Sequence, residues 1–288
     1  MKKEGDNIVC IAGLGLIGGS LALALKKCGF AKKIVGVDNS ILNAKTALSM
    51  GLADEILPLE EGLKQSDIII LCTPVHIIKD LLPTVLDQIS GSSKVVTDMG
   101  STKWQIVQSV KTHTSRGRYV AFHPIAGTEF SGPTAAQETL FADKNAIICD
   151  RERSDDDALR TVKNMAKMLK MNISYMNSRN HDLHAAYVSH ISHITSFSLA
   201  LSVLDKEKKE ENILTLAASG FESTVRLAKS NAKTWSPIFL QNSEFITEVI
   251  DSYLEKMNLF RQYISEQNEE GLCNLMNEAN EIKKILKT

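Results

Sequence analysis

Residues 8–20, Ile-Val-Cys-Ile-Ala-Gly-Leu-Gly-Leu-Ile-Gly-Gly-Ser, constrain this chain more than any other stretch. A β-branched apolar run (Ile8, Val9, Ile11) stops at Gly13-x-Gly15-x-x-Gly18 and gives way to Ser20-Leu-Ala-Leu-Ala-Leu-Lys-Lys, a composition that favours helix. The pattern predicts strand, tight turn and helix. In such a unit Gly13 permits the turn, Gly15 lets the backbone approach a pyrophosphate, and Gly18 lets the helix pack on the strand. Phosphates would sit at the helix N-terminus.

The next unit sharpens this reading. Residues 32–37, Lys-Lys-Ile-Val-Gly-Val, read as a second strand that ends at Asp38, 20 residues beyond Gly18. That is the spacing of an acid that bonds a ribose 2′-hydroxyl. A carboxylate there repels a 2′-phosphate, so NAD is the expected cofactor rather than NADP.

A chain of 288 residues has room for two domains. Its formal net charge of -1 comes without a long basic block, which argues against nucleic acid or an anionic membrane as partner. The five cysteines (Cys10, Cys28, Cys72, Cys149, Cys273) are odd in number and lack CxxC spacing. They read as reduced, mostly buried thiols of a cytoplasmic protein. No apolar run reaches membrane-spanning length, and no apolar signal core follows the N-terminus.

Along the chain, strand-like and helix-like segments alternate. Residues 40–50 suggest a helix closed by Gly51, and residues 53–57 a short extended piece. Residues 68–72 form an uninterrupted apolar run, as in a strand buried on both faces, and stop at Thr73-Pro74. A helix is expected over 75–89, a strand over 94–98, a helix over 104–113 and a strand over 118–122 that delivers His123-Pro124. Two more strands, 145–149 and 173–176, flank a charged helix over 155–169. This alternation predicts a Rossmann-type doubly wound sheet, with ligands beyond the carboxyl ends of its strands. Thr73, Ser101 and His123 all fall at such ends. From Ser178 onward helical spacing takes over, in runs 180–204, 211–228, 237–265 and 271–286. The boundary is therefore expected near Asn177, dividing a dinucleotide-binding domain (1–177) from an all-α domain (178–288) through which the chain forms a homodimer.

His123 heads the residues able to do chemistry. Pro124 holds its backbone extended, and a polar turn, Ala126-Gly127-Thr128-Glu129, follows. A neutral imidazole, with an ordinary pKa of about 6.5, can accept a hydroxyl proton while hydride leaves the same carbon. A loop histidine bonded to backbone would look the same from position alone. His190 and His193 share a helix face, as do His181 and His184, which suggests a metal site, but an acidic third ligand at a suitable spacing is missing.

Gly13-Leu-Gly-Leu-Ile-Gly-Gly-Ser20, Cys72-Thr-Pro74, Asp98-Met-Gly-Ser-Thr-Lys103 and His123-Pro-Ile-Ala-Gly-Thr-Glu-Phe-Ser-Gly132, in this order, resemble the prephenate/arogenate dehydrogenase family of tyrosine biosynthesis. The likeness continues through Ser189-His-Ile-Ser-His193 and Gly220-Phe-x-x-x-x-Arg226 to Trp235 and Asn242, and so covers essentially the whole chain. It implies NAD-dependent oxidative decarboxylation of prephenate to 4-hydroxyphenylpyruvate and no metal. His123 would polarise the ring hydroxyl, with Ser101 bonding the same group. Arg226 would hold a substrate carboxylate through its two-pronged guanidinium. His193 would lie at the substrate with His190 beside it, Thr128 and Glu129 would line or gate the pocket, and Trp235 would close it. Gly13, Gly15, Leu16, Ile17, Gly18, Asp38, Thr73 and Pro74 would bind the cofactor.

One departure stands out: some relatives carry an acid three residues before the arginine, where this chain has Ser223 with Glu222 beside it. If that acid belongs to an ionic gate, the gate here differs or Glu222 substitutes. Arogenate dehydrogenase is the alternative activity, differing only in an amino group on the substrate side chain. A β-hydroxyacid dehydrogenase would need a lysine-bearing catalytic helix that we do not find. A non-catalytic NAD sensor would not require His123, Ser101 and Arg226 together. No regulatory domain is expected after the helices, so tyrosine feedback, if it exists, is expected to act at the active site.

Overall fold

A computed structural model describes residues 6–210 and 212–286. Glu211, where one helix is expected to start, lies outside the described residues, as do residues 1–5 of the amino-terminal stretch. Internal contacts divide the chain into two compact units, Met1–Ser243 and Glu244–Thr288.

The first unit is built on eight strands: β1 (Asn7–Ala12), β2 (Ala31–Val37), β3 (Glu55–Ile56), β4 (Ile68–Leu71), β5 (Val95–Asp98), β6 (Tyr119–Pro124), β7 (Asn145–Cys149) and β8 (Asn172–Met176). They lie in the order β3-β2-β1-β4-β5-β6-β7-β8. The chain runs outward from β1 through β2 to β3, then crosses to β4 and proceeds the other way. The switch point thus falls between β1 and β4, where the expected ligand crevice opens. All neighbouring pairs are parallel except β6 with β7.

Alternate residues explain why the sheet is covered on both faces. Val9, Ile11, Ile34, Ile68, Ile70, Val120 and Phe122 enter one apolar cluster, while Cys10, Ala12, Ile69, Leu71, Val96, Tyr119 and Ala121 enter another. Successive strand side chains point to opposite faces, and here both faces are dry. Each fully buried Ile, Leu or Val contributes about 1.5–3 kcal/mol over its exposed state.

Helices α1 (Leu16–Lys27), α2 (Ile41–Ser49), α3 (Leu59–Gln65), α4 (Val75–Gln88), α5 (Trp104–Ser109) and α6 (Asp156–Met168) supply the cover. In α6, Ala158, Val162, Met165 and Ala166 bury one stripe, and Asp156 and Asp157 stand in the first turn, where they favour the helix dipole. Helix α3 was not expected from the sequence, and α5 is shorter than its apolar pattern suggests. His123 and Pro124 are in β6 rather than after it, because the antiparallel partner extends the strand through the pairs His123↔Ile147 and Pro124↔Ala146.

After β8 the chain is helical. α7 (Ser178–Ala185) and α8 (Ile191–Glu207) are joined by one π turn, Ala186–His190. The expected helix 211–228 is broken into a 3-10 turn, Ile213–Leu216, then α9 (Ser219–Val225) and a second 3-10 turn, Arg226–Lys229. Asn212 in left-handed conformation (φ 76°) and extended Ala218 interrupt it. The expected helix 237–265 is also two: α10 (Ala232–Gln241) starts before Pro237, and Asn242 separates it from α11 (Ser243–Ser265). α11, apart from its first residue, and α12 (Glu269–Ala279) make up the helices of the second unit. All five cysteines are free; Cys10 and Cys149 are buried and Cys273 is exposed. Among the described residues no helix is long and apolar enough to cross a membrane.

Candidate active site

The glycine turn has the sterics its spacing suggests. Gly13 takes φ +96°, and a Cβ there would lie 2.8 Å from the Cys72 carbonyl carbon. A Cβ on Gly18 would lie 1.9 Å from the Gly13 oxygen, so only glycine lets α1 start this close to β1. A Cβ on Gly15 would meet nothing within 4 Å, leaving open space. Gly15 is also the N-cap of α1, which has neither a side-chain cap nor an acid in its first turn. Its amide ends, from Leu16 and Ile17 onward, are therefore suited to an anion.

Asp38, directly after β2, accepts from the amides of Leu14 (2.9 Å) and Ser40 (2.8 Å). Both oxygens keep a lone pair for a sugar hydroxyl. Across the switch point Thr73 Oγ1 is buried with no protein partner, and Pro74 caps α4. An unsatisfied buried hydroxyl, an open glycine and a fixed carboxylate at one crevice fit a dinucleotide.

Ser101 follows the end of β5, half-buried, and His123 lies on adjacent β6 at the same edge of the sheet. His123 Nδ1 is 2.8 Å from Nε2 of His181, and His181 Nδ1 is 2.7 Å from Oδ1 of Asp182. The same carboxylate accepts the amides of Lys103 (2.7 Å) and Trp104 (2.9 Å), and so caps α5 from another helix. The start of α7 is itself fixed: Asn177 accepts from Arg179 N, and Asp150 accepts both the amide and the hydroxyl of Ser178. Burial holds the His123 imidazole well below its ordinary pKa, helped by His181, Lys103 and His190. Lys103, fully buried, is ion-paired with Asp98, which also accepts from Tyr119 OH at 2.6 Å.

A second group gathers around Trp235. His193 stacks on its indole with ring centroids 3.4 Å apart, and His190 meets it edge-on at 6.0 Å. Burial lowers the pKa of His193, and nearby Arg226 lowers it further. His190 is buried, with Nδ1 3.0 Å from the Asn242 amide. The acid that meets Arg226 is Glu129, at 3.4 Å. Thr128, exposed, accepts from Phe130 N at 3.3 Å. A cavity of about 680 Å³ opens beside this pair, lined by Glu129, Phe130, Lys229 and Asn231 among others.

The family described as "Prephenate dehydrogenase, nucleotide-binding domain" matches residues 21–175, more than half of the chain, and "Prephenate dehydrogenase, dimerization domain" matches residues 177–278. The chain belongs to the prephenate dehydrogenase family. It is 31% identical to the prephenate dehydrogenase of Bacillus subtilis (strain 168), over 94% of this chain and 74% of that protein. The solved structure of prephenate dehydrogenase from A. aeolicus in complex with hydroxyphenyl propionate and NAD+ is similar at a TM-score of 0.87 and 28% identity, over 99% of both chains. The structure of Synechocystis arogenate dehydrogenase is similar at 0.75 and 26% identity, over 96% of this chain and 99% of that one.

Three residues in these clusters carry geometry that sequence reasoning did not assign. The sequence offers His181 only as one of a helical histidine pair and points to no role for Asp182 or Asn242. The adjacency of a histidine and an aspartate near the start of a helix was the available signal. Ser196, buried in α8, donates to Thr224 O (2.9 Å) and accepts from Ala228 N (3.0 Å). It thereby ties the turn that carries Arg226 to α8.

Proposed function

We propose that this chain oxidises prephenate with NAD, releasing CO2 and forming 4-hydroxyphenylpyruvate. The observation that carries the reading is His123: a neutral imidazole at the carboxyl edge of the sheet, its Nδ1 engaged by His181 and its Nε2 left for a substrate hydroxyl.

Gly13, Gly15, Leu16, Ile17, Gly18, Asp38, Thr73 and Pro74 would hold NAD, which when bound supplies the hydride acceptor. His123 Nε2 takes the proton of the ring hydroxyl, and Ser101 donates to or accepts from the same oxygen. As hydride leaves the hydroxyl-bearing carbon, the bond from the ring to its carboxylate breaks and its electrons enter the ring, which becomes aromatic. Aromatisation supplies the driving force, so orientation and charge neutralisation are the main tasks left to the protein. Arg226 offers a fork to a substrate carboxylate in place of Glu129. The His193–Trp235 stack offers a flat surface to the substrate ring, with His190 behind it.

Residues 1–177 would bind the nucleotide and residues 178–288 would join two copies. Exposed Leu201, Leu216, Leu240 and Ile264 in the helical part support a homodimer. The five free thiols support a cytoplasmic location.

The test is the initial rate of nicotinamide reduction, with prephenate and arogenate each offered with NAD and NADP. Prephenate with NAD is expected to give the highest kcat/KM. A preference for arogenate would reassign the substrate, and no turnover with either would overturn the proposal.

A further inference from the structure

The reading of His123 as base leaves a question of protons. A histidine can accept at Nε2 only if its neutral ring carries its proton on Nδ1, and a free neutral imidazole prefers the other arrangement. Asp182 is a pure acceptor, already bonded to two backbone amides. His181 Nδ1, 2.7 Å from that carboxylate, must therefore be the donor of their bond. A neutral His181 with its proton on Nδ1 has an unprotonated Nε2, which faces His123 Nδ1 at 2.8 Å. That nitrogen can only accept, so His123 Nδ1 must donate. The polarity of the whole chain is set from the buried carboxylate outward.

We propose that His181 is a positioning residue for the oxidation: backed by Asp182, it holds His123 in the tautomer protonated on Nδ1 and leaves Nε2 free to take the substrate proton. The proposal rests on the dehydrogenase reading above. When His123 Nε2 takes the hydroxyl proton, the ring becomes an imidazolium with both nitrogens protonated. Its Nδ1–H still points at His181, so the new charge lies one ring away from the Asp182 carboxylate. No further reactant is needed. The ionisable groups that bear on His123 are His181 from α7, His190 from the π turn, and Lys103; Asp182 backs His181, Asp98 pairs with Lys103, and Cys149 stands on neighbouring β7.

Two variants and one spectrum test this. His181→Leu removes the acceptor while filling the space, and His181→Gln can return an acceptor oxygen near the site of Nε2. With prephenate and NAD, His181→Leu is expected to lose about 100-fold in kcat at little changed KM, in the range for general-base catalysis. His181→Gln is expected to recover kcat to within about tenfold of the parent. Equal losses in both variants, carried by KM, would assign His181 a packing role and overturn the proposal, as would a His181→Leu kcat within threefold of the parent.

The tautomer itself is read from nitrogen-15 NMR of the parent protein labelled at histidine, with His123 assigned by its disappearance in His123→Asn. An Nδ1–H, Nε2-unprotonated ring supports the proposal, and an Nε2–H ring refutes it. This spectrum needs no substrate and no stable variant, so it decides the role of His181 even if the chain fails to oxidise prephenate.

Discussion

Asn242 donates one amide hydrogen to Nδ1 of His190 at 3.0 Å and the other to the carbonyl of Asp182 at 2.8 Å. One side chain at the junction of α10 and α11 thus fixes both the π turn and the helix that carries His181. Because His190 Nδ1 accepts, its proton is on Nε2, and the ring is neutral.

That neutrality has a cost in acid. Burial lowers the His190 pKa to about 4, from 6.5. Between those values the unfolded chain binds a proton that the folded chain does not, so stability falls as pH is lowered from about 6.5 to about 4. The His190 contribution to this loss is up to about 3 kcal/mol. Urea unfolding across that range should show the slope, and His190→Gln should flatten it. An unchanged slope in the variant would locate the effect elsewhere.

Catalysis should tolerate acid better than an ordinary histidine would allow. His123 must be unprotonated to act, and its pKa lies well below the usual value, so activity is lost only as pH falls through that depressed pKa. The acid limb of kcat/KM for prephenate is expected below pH ~6.5. His123→Asn should lower kcat by about 100-fold or more, with NAD binding by fluorescence little altered. Near-normal turnover would remove His123 from the mechanism.

Gly15 and Gly18 should separate cofactor binding from folding. A Cβ at Gly15 meets nothing within 4 Å, so Gly15→Val should leave Tm nearly unchanged while weakening NAD binding at least tenfold. At Gly18 the Cβ falls 1.9 Å from a backbone oxygen that cannot move without shifting β1 or α1. Gly18→Ala should therefore destabilise by about 1–3 kcal/mol, as overpacking does. Thermal unfolding without NAD, and titration with it, distinguish the two.

Arg226 is more than half exposed, and its pair with Glu129 is worth no more than about 1 kcal/mol. Arg226→Ala should leave Tm within a degree or two but raise KM for prephenate by tenfold or more, with a smaller change in kcat. A fall in kcat at constant KM would show that Arg226 acts on the transition state and not on binding.

The sheet was legible in the sequence because its signals are local. Uninterrupted apolar runs such as residues 68–71 mark strands covered on both faces, and the glycine spacing follows from atoms a few residues apart. Asp38 could be located by counting, since the βαβ unit fixes where the second strand ends. The helical half was less legible. Apolar spacing alone predicted continuous helices over 211–228 and 237–265, but Ser196 bonds that pin the Arg226 turn, and Asn242 bonds that replace a helical continuation, come from distant segments.

The sequence by itself therefore determined the doubly wound sheet, the nucleotide turn and the identity of the histidine at its edge, since each is written in neighbours or fixed spacings. Only the tertiary structure decided what surrounds that histidine. His123 meets His181 across 58 positions and Asp182 caps α5 across 78, contacts whose partners are chosen by packing and by the need to satisfy buried polar groups. No periodicity encodes such a pairing, because hydrogen bonds between distant side chains leave no repeat along the chain.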